Sequence, residues 1–112
     1  MVIKFGFKLK GNKFELEVKE CNSILLKASG LMFKKKSKPL LFIFKKPTKT
    51  SIHSFFCKPF VAIWFRDGKI IDVNIIKRQM ASITPKEKYD KLLEIPSSSN
   101  HFNEICRRYR NL

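Results

Sequence analysis

The residues able to do chemistry in this chain are few. In SIHSFFCKPFVAIWF, His53 stands four positions before Cys57, an imidazole and a thiol of the kind that nucleophilic catalysis pairs. In a strand those positions share a face but lie roughly 13 Å apart at about 3.3 Å per residue, whereas sharing a proton needs about 3 Å. Phe55 and Phe56 argue against a sharp fold between them. Cys57 therefore reads as a small buried hydrophobe, and His53 as a hydrogen-bonded residue near the strand entrance, with ligand contact as the alternative. Two histidines and three cysteines show neither C-x-x-C nor H-x-x-x-H spacing, so no metal site is expected. Glu94, within LLEIP, reads as the exposed side of an edge strand, with a buried, paired carboxylate as the alternative. The glycines at 6, 11, 30 and 68 stand singly, which leaves no phosphate-binding loop and no cofactor to expect. No catalytic residue is assigned.

The elements that would position these groups read mostly as strands. Ile3, Phe5, Phe7 and Leu9 alternate, and after Gly11-Asn12 the apolar set becomes Phe14, Leu16 and Val18. A type II′ loop at Gly11-Asn12 predicts a hairpin pairing Leu9 with Phe14, Phe7 with Leu16 and Phe5 with Val18. Asn22 or Ser23 can cap a short helix near 23–29, with Gly30 to end it. After the polar KKKSKP connection, Leu40–Phe44 is a continuous apolar run of buried-strand type, and KKPTKT (45–50) reads as a basic loop. Ile52–Cys57 and Phe60–Phe65 follow as strands broken at Lys58-Pro59. Asp67-Gly68 predicts a type I′ turn that pairs Phe65 with Ile70, Trp64 with Ile71 and Ala62 with Val73, in a hairpin apolar on both faces and hence central. Residues 79–90 read as loop, and Lys91–Ile95 as a last strand stopped by Pro96. Phe102, Ile105, Cys106 and Tyr109 have helical spacing, with Asn100 as the cap, which predicts a helix near 101–109. The expectation is a single domain, 1–112, all-β: a compact small barrel or sandwich of mainly antiparallel strands with two short helices.

The totals set the partners. Lys and Arg number 24 against 9 Asp and Glu, a net charge of +15 that attracts nucleic acid, anionic lipid or any acidic partner, unless it records only a lysine-rich coding habit. Three widely spaced cysteines do not describe a disulfide framework and suggest a reducing compartment. No stretch has the length of a membrane span, and MVIKFGFKLK lacks the apolar core of a secretory signal, so the chain is expected to be cytoplasmic.

Taken in order, LKASGLMF, LLFIF, IHSFFC, PFVAIWF with DGKIIDV, and KYDKLLEIP resemble the family called domain of unknown function 192, from about Phe14 to Ser99. The resemblance implies an all-β fold with little helix. It makes Gly30–Phe33 a helix-to-loop signature and His53, Phe55 and Phe56 an aromatic strand. Pro59 becomes a corner, and Tyr89, Glu94 and Pro96 a closing motif. The family's acidic residues fall here on Val61 and Arg66, and its arginine on Ser29, so a polar site built from them is largely lost in this chain. Many relatives are exported or anchored, and the N-terminus here suggests a cytoplasmic branch.

The functional expectation is a non-catalytic ligand-binding or accessory domain, with His53, Tyr89 and Glu94 as the ligand-contacting residues and the ligand unknown. The alternative is a nucleic-acid-binding module, for RNA or single strands. It would set Lys34, Lys35, Lys36, Lys38, Lys45, Lys46, Lys49, Arg107, Arg108 and Arg110 against phosphates. An enzyme acting on an anionic or carbohydrate substrate, with His53 and Glu94 in a cleft, is the third reading.

Overall fold

In the computed structural model the described residues are 2–21, 38–52, 59–77 and 82–110. The helix expected near 23–29, the Gly30–Phe33 signature and the strand through Cys57 fall outside them.

β1 (Val2–Leu9) and β2 (Asn12–Cys21) form the first hairpin. Its turn is Lys10-Gly11, with φ of 55° and 79°, not Gly11-Asn12. Two positive φ values make a type I′ turn, whose twist suits the strands it joins. Asn12 Nδ2 donates to the Lys10 carbonyl at 3.2 Å, which holds Asn12 at the start of β2. The register becomes Ile3↔Val18, Phe5↔Leu16 and Phe7↔Phe14, two residues from the expected pairing. Because a strand repeats every two residues, the same side chains still share one face.

β3 (Leu40–Thr48) runs parallel to β2 and continues through Lys45 and Lys46, which were expected in a loop. It pairs with β6 (Tyr89–Pro96) from Leu40 to Ile43 and again at Thr48, with Lys45 and Lys46 in the irregularity between. β4 (Phe60–Arg66) turns through Asp67-Gly68, φ 51° and 78°, into β5 (Lys69–Ile76), the type I′ turn the sequence predicts. Phe65↔Ile70 is paired as expected. A register shift then places Trp64 opposite Asp72 and Ala62 opposite Asn74. The inserted residue is a bulge of the kind that sharpens local twist.

The six-stranded sheet has the order β1-β2-β3-β6-β4-β5. β4 is central and β5 is an edge, so half of the second hairpin is not where its two apolar faces suggested. β6, by contrast, is flanked on both sides by β3 and β4. Four strand spacings separate β1 from β4, about 19 Å on a flat sheet at about 4.8 Å each. Yet the Phe5 and Phe65 rings lie 5.3 Å apart, edge to face. The sheet is therefore curled into a half-barrel. Its concave core contains Phe7, Leu16, Val18, Ile63, Phe65 and Leu93.

α1 (Phe102–Arg110) buries Ile105 and Cys106 in that same core, with Phe102 and Tyr109 against it. Burial of a side chain such as Ile105 contributes about 1.5–3 kcal/mol. The side-chain oxygen at the helix entry is Ser99 Oγ, which accepts from His101 N at 3.3 Å, one residue earlier than the expected cap at Asn100. A second apolar cluster, with Phe42, Phe60, Trp64, Tyr89 and Leu92, lies on the opposite face of the sheet.

Candidate functional site

Alternation along β6 sends Leu93 and Ile95 into the concave core and Leu92 and Glu94 to the other face. Glu94 lies between Leu40 of β3 and Ala62 of β4, and only 4% of it is exposed. Reading it as the solvent side of an edge strand is thus overturned. The apolar residues around Glu94 in LLEIP signal burial, but only the strand order reveals that both flanks are covered. Loss of hydration pushes its carboxyl up from 4.5 to about 8. At neutral pH it is therefore mainly protonated, able to donate one hydrogen bond and accept others.

Tyr89 is fully buried at the start of the same strand, and its hydroxyl donates to the Thr50 carbonyl at 2.8 Å. Burial first, and the Glu94 charge second, raise the phenol far above its ordinary range. Trp64 joins this face from β4, opposite Leu92 and hence diagonal to Glu94. Its ring stands 6.4 Å from that of Tyr89, edge to face, and Phe44 meets Tyr89 in the same way at 5.3 Å. Trp64 is 1% exposed, and among the described residues its Nε1 has no hydrogen-bond partner. Sequence reasoning left this donor out. A lone tryptophan within an apolar strand pointed to packing, and nothing in the local pattern marked its N–H as orphaned.

The structure puts Tyr89 and Glu94 on one strand, near enough for the Glu94 charge to act on the phenol, while His53 and Cys57 lie outside the described residues. Ile52, just before them, exchanges two backbone hydrogen bonds with Ile83, at 2.9 and 2.8 Å.

Those of the basic residues proposed for phosphate contact that are described belong to several different segments. Lys38 Nζ is 3.1 Å from Glu17 Oε2, and Arg108 donates to Glu104 at 3.3 Å. Lys45 and Lys46 are exposed on β3, Lys49 is exposed just after it, and Arg107 is exposed on α1, which Arg110 ends. Lys34, Lys35 and Lys36 lie outside the described residues. A recess of about 410 Å³ between β2 and the approach to α1 is lined by Glu15, Glu17, Lys38, Ser98, Asn100 and His101, two carboxylates to one lysine. Among the described residues no group of three or more His, Cys, Asp or Glu side chains converges as a metal site would need, and no helix is long and apolar enough to cross a membrane.

A curled six-stranded half-barrel with one terminal helix is a known architecture. A protein of unknown function from Novosphingobium aromaticivorans superposes with a TM-score of 0.77 over 96% of this chain and 79% of its own, at 13% identity. A candidate transcription regulator from Sinorhizobium meliloti superposes with a TM-score of 0.72 over 91% and 81%, at 18% identity. At such identities the likeness concerns the fold. No family model matches the chain. UPF0127 protein PH1112 of Pyrococcus horikoshii is 34% identical over 91 residues, 78% of each chain. The chain belongs to the UPF0127 family, whose function is uncharacterised.

Proposed function

We propose that this protein is a non-catalytic binding domain whose ligand site is centred on Glu94, with Trp64 and Tyr89 beside it. The carrying observation is a carboxyl 4% exposed on the same sheet face as Trp64, whose buried indole N–H no described residue satisfies. Buried polar groups are nearly always paired, and orphans mark places that a ligand or water completes. A protonated carboxyl and an indole N–H together suit a neutral, hydrogen-bonding ligand, because an anion would meet Glu94 at a cost once it ionised. The five-motif order supports placing the chain more finely in the domain of unknown function 192 family, and a cytoplasmic setting fits the same reading.

The test is a ligand-observed NMR screen of neutral metabolites against the wild-type protein and Glu94→Gln. Ligands bound by wild type and released by the variant are expected. A screen with no such ligand, or turnover of any compound that disappears in Glu94→Ala, refutes the proposal.

A further inference from the structure

Gly6 is the residue that the fold leaves unexplained. It lies in the middle of β1, and the ladder runs through it without a bulge: Phe5↔Leu16, Gly6↔Glu15, Phe7↔Phe14. Its φ is not in the left-handed region, which only Gly11 and Gly68 occupy among the described glycines. A methyl group at position 6 would meet nothing closer than the Phe14 carbonyl oxygen at 3.6 Å, an ordinary contact. Turn, bulge and internal packing therefore all permit alanine. Glycine within a strand weakens it, and the remaining physical reason for one is the close approach of something from outside.

What lies over Gly6 is a recess of about 370 Å³, lined by Gly6, Phe7, Lys8, Lys13, Phe14 and Glu15. That volume falls at the lower end of small-ligand sites. On the outward face of the hairpin, Lys8 stands directly opposite Lys13. Like charges so placed destabilise a strand pair. Lys10, at the tip, adds a third cation and occupies a left-handed conformation, φ 55°, that asparagine or glycine adopts more readily. Glu15, the carboxylate in the lining, lies 4.0 Å from Lys4, a further cation on the same hairpin. The hairpin thus concentrates positive charge and local cost at one place, beside a floor that has no side chain. β1 is also an edge strand, which leaves the recess open along one side.

We propose that this recess binds a nucleotide, free or within a single strand, its flat base over the backbone at Gly6 and its phosphate between Lys8 and Lys13. Lysines supply the charge-assisted contact to phosphate, and a bare backbone strip lets a planar ring come close. This site is separate from Glu94 and faces the outside of the hairpin.

The experiment measures fluorescence anisotropy of labelled oligouridine and NMR shift changes on adding uridine monophosphate. It compares wild type, Gly6→Ala, Gly6→Val and the double variant Lys8→Ala/Lys13→Ala, each with its melting temperature. Wild type is expected to bind, and both Gly6→Val and the lysine double variant to lose at least tenfold in affinity. One neutralised phosphate on a single strand predicts about a 2.6-fold weakening of oligouridine binding between about 50 and about 200 mM salt. Binding of the monophosphate with the strand identifies a free-nucleotide site, and binding of the strand alone a nucleic-acid surface. Gly6→Ala is expected to raise the melting temperature by about 2–8 °C while weakening binding. Absence of binding by either probe at millimolar concentration, affinity unchanged in a folded Gly6→Val or in the lysine variant, or a lowered melting temperature in Gly6→Ala overturns the proposal.

Discussion

Replacing Glu94 with glutamine alters the pH dependence of stability in a way that follows from the position of one carboxyl. In the unfolded chain the group titrates near 4.5, and in the folded protein burial moves it to about 8. The native state therefore holds a proton that the unfolded state releases in this interval. Below about pH 4.5 both forms are protonated and the group costs nothing as a charge. Between the two values each pH unit removes about 1.4 kcal/mol of stability, and above about pH 8 the loss is complete. Between about pH 5 and pH 8 the wild-type protein is expected to lose about 3–4 kcal/mol relative to Glu94→Gln, whose amide has nearly the same shape and does not titrate. A domain of this length has about 6–17 kcal/mol in total, so the effect is a substantial share. Urea denaturation of both proteins at pH 5, 6, 7 and 8 measures it. The difference in unfolding free energy, variant minus wild type, should climb steadily with pH. A flat difference would mean that Glu94 ionises freely in the folded state, and the account of its buried environment would fail.

Three further outcomes test the surrounding structure. Tyr89→Phe removes the hydroxyl that donates to the Thr50 carbonyl, and chemical denaturation is expected to show a loss of about 1–2 kcal/mol. Phe65→Ala empties the point where β1 meets β4 across the curl, with an expected cost of about 3–5 kcal/mol and earlier hydrogen exchange in β1. Lys10→Asn places at φ 55° a residue that tolerates it, so differential scanning calorimetry should record a melting temperature higher by a few degrees.

Local chemistry settled much of the fold in advance. Alternation in Ile3–Leu9 and Phe14–Val18 put those residues on one face whichever two-residue turn closed the hairpin, because moving the turn by one residue moves the pairing by two. Asp67-Gly68 named its own turn type, since positive φ is cheap there. The helical spacing of Phe102, Ile105, Cys106 and Tyr109 described α1 to within a residue. The relatives then agreed with what the motif order suggested at the level of an uncharacterised family.

Long-range pairing decided the rest. Nothing near Lys91–Ile95 says that β6 inserts between β3 and β4, and that insertion is what turns Glu94 from a solvent-facing group into a buried one with a displaced proton equilibrium. Lys45 and Lys46 lie within β3 at the irregularity between Ile43 and Thr48, extended between two stretches of pairing with β6 that the local sequence could not announce. The orphaned Trp64 N–H and the uncovered floor at Gly6 likewise have no local signature. A chain's own pattern reports which side chains prefer to leave water, whereas burial of a particular polar atom depends on which distant strand lies over it.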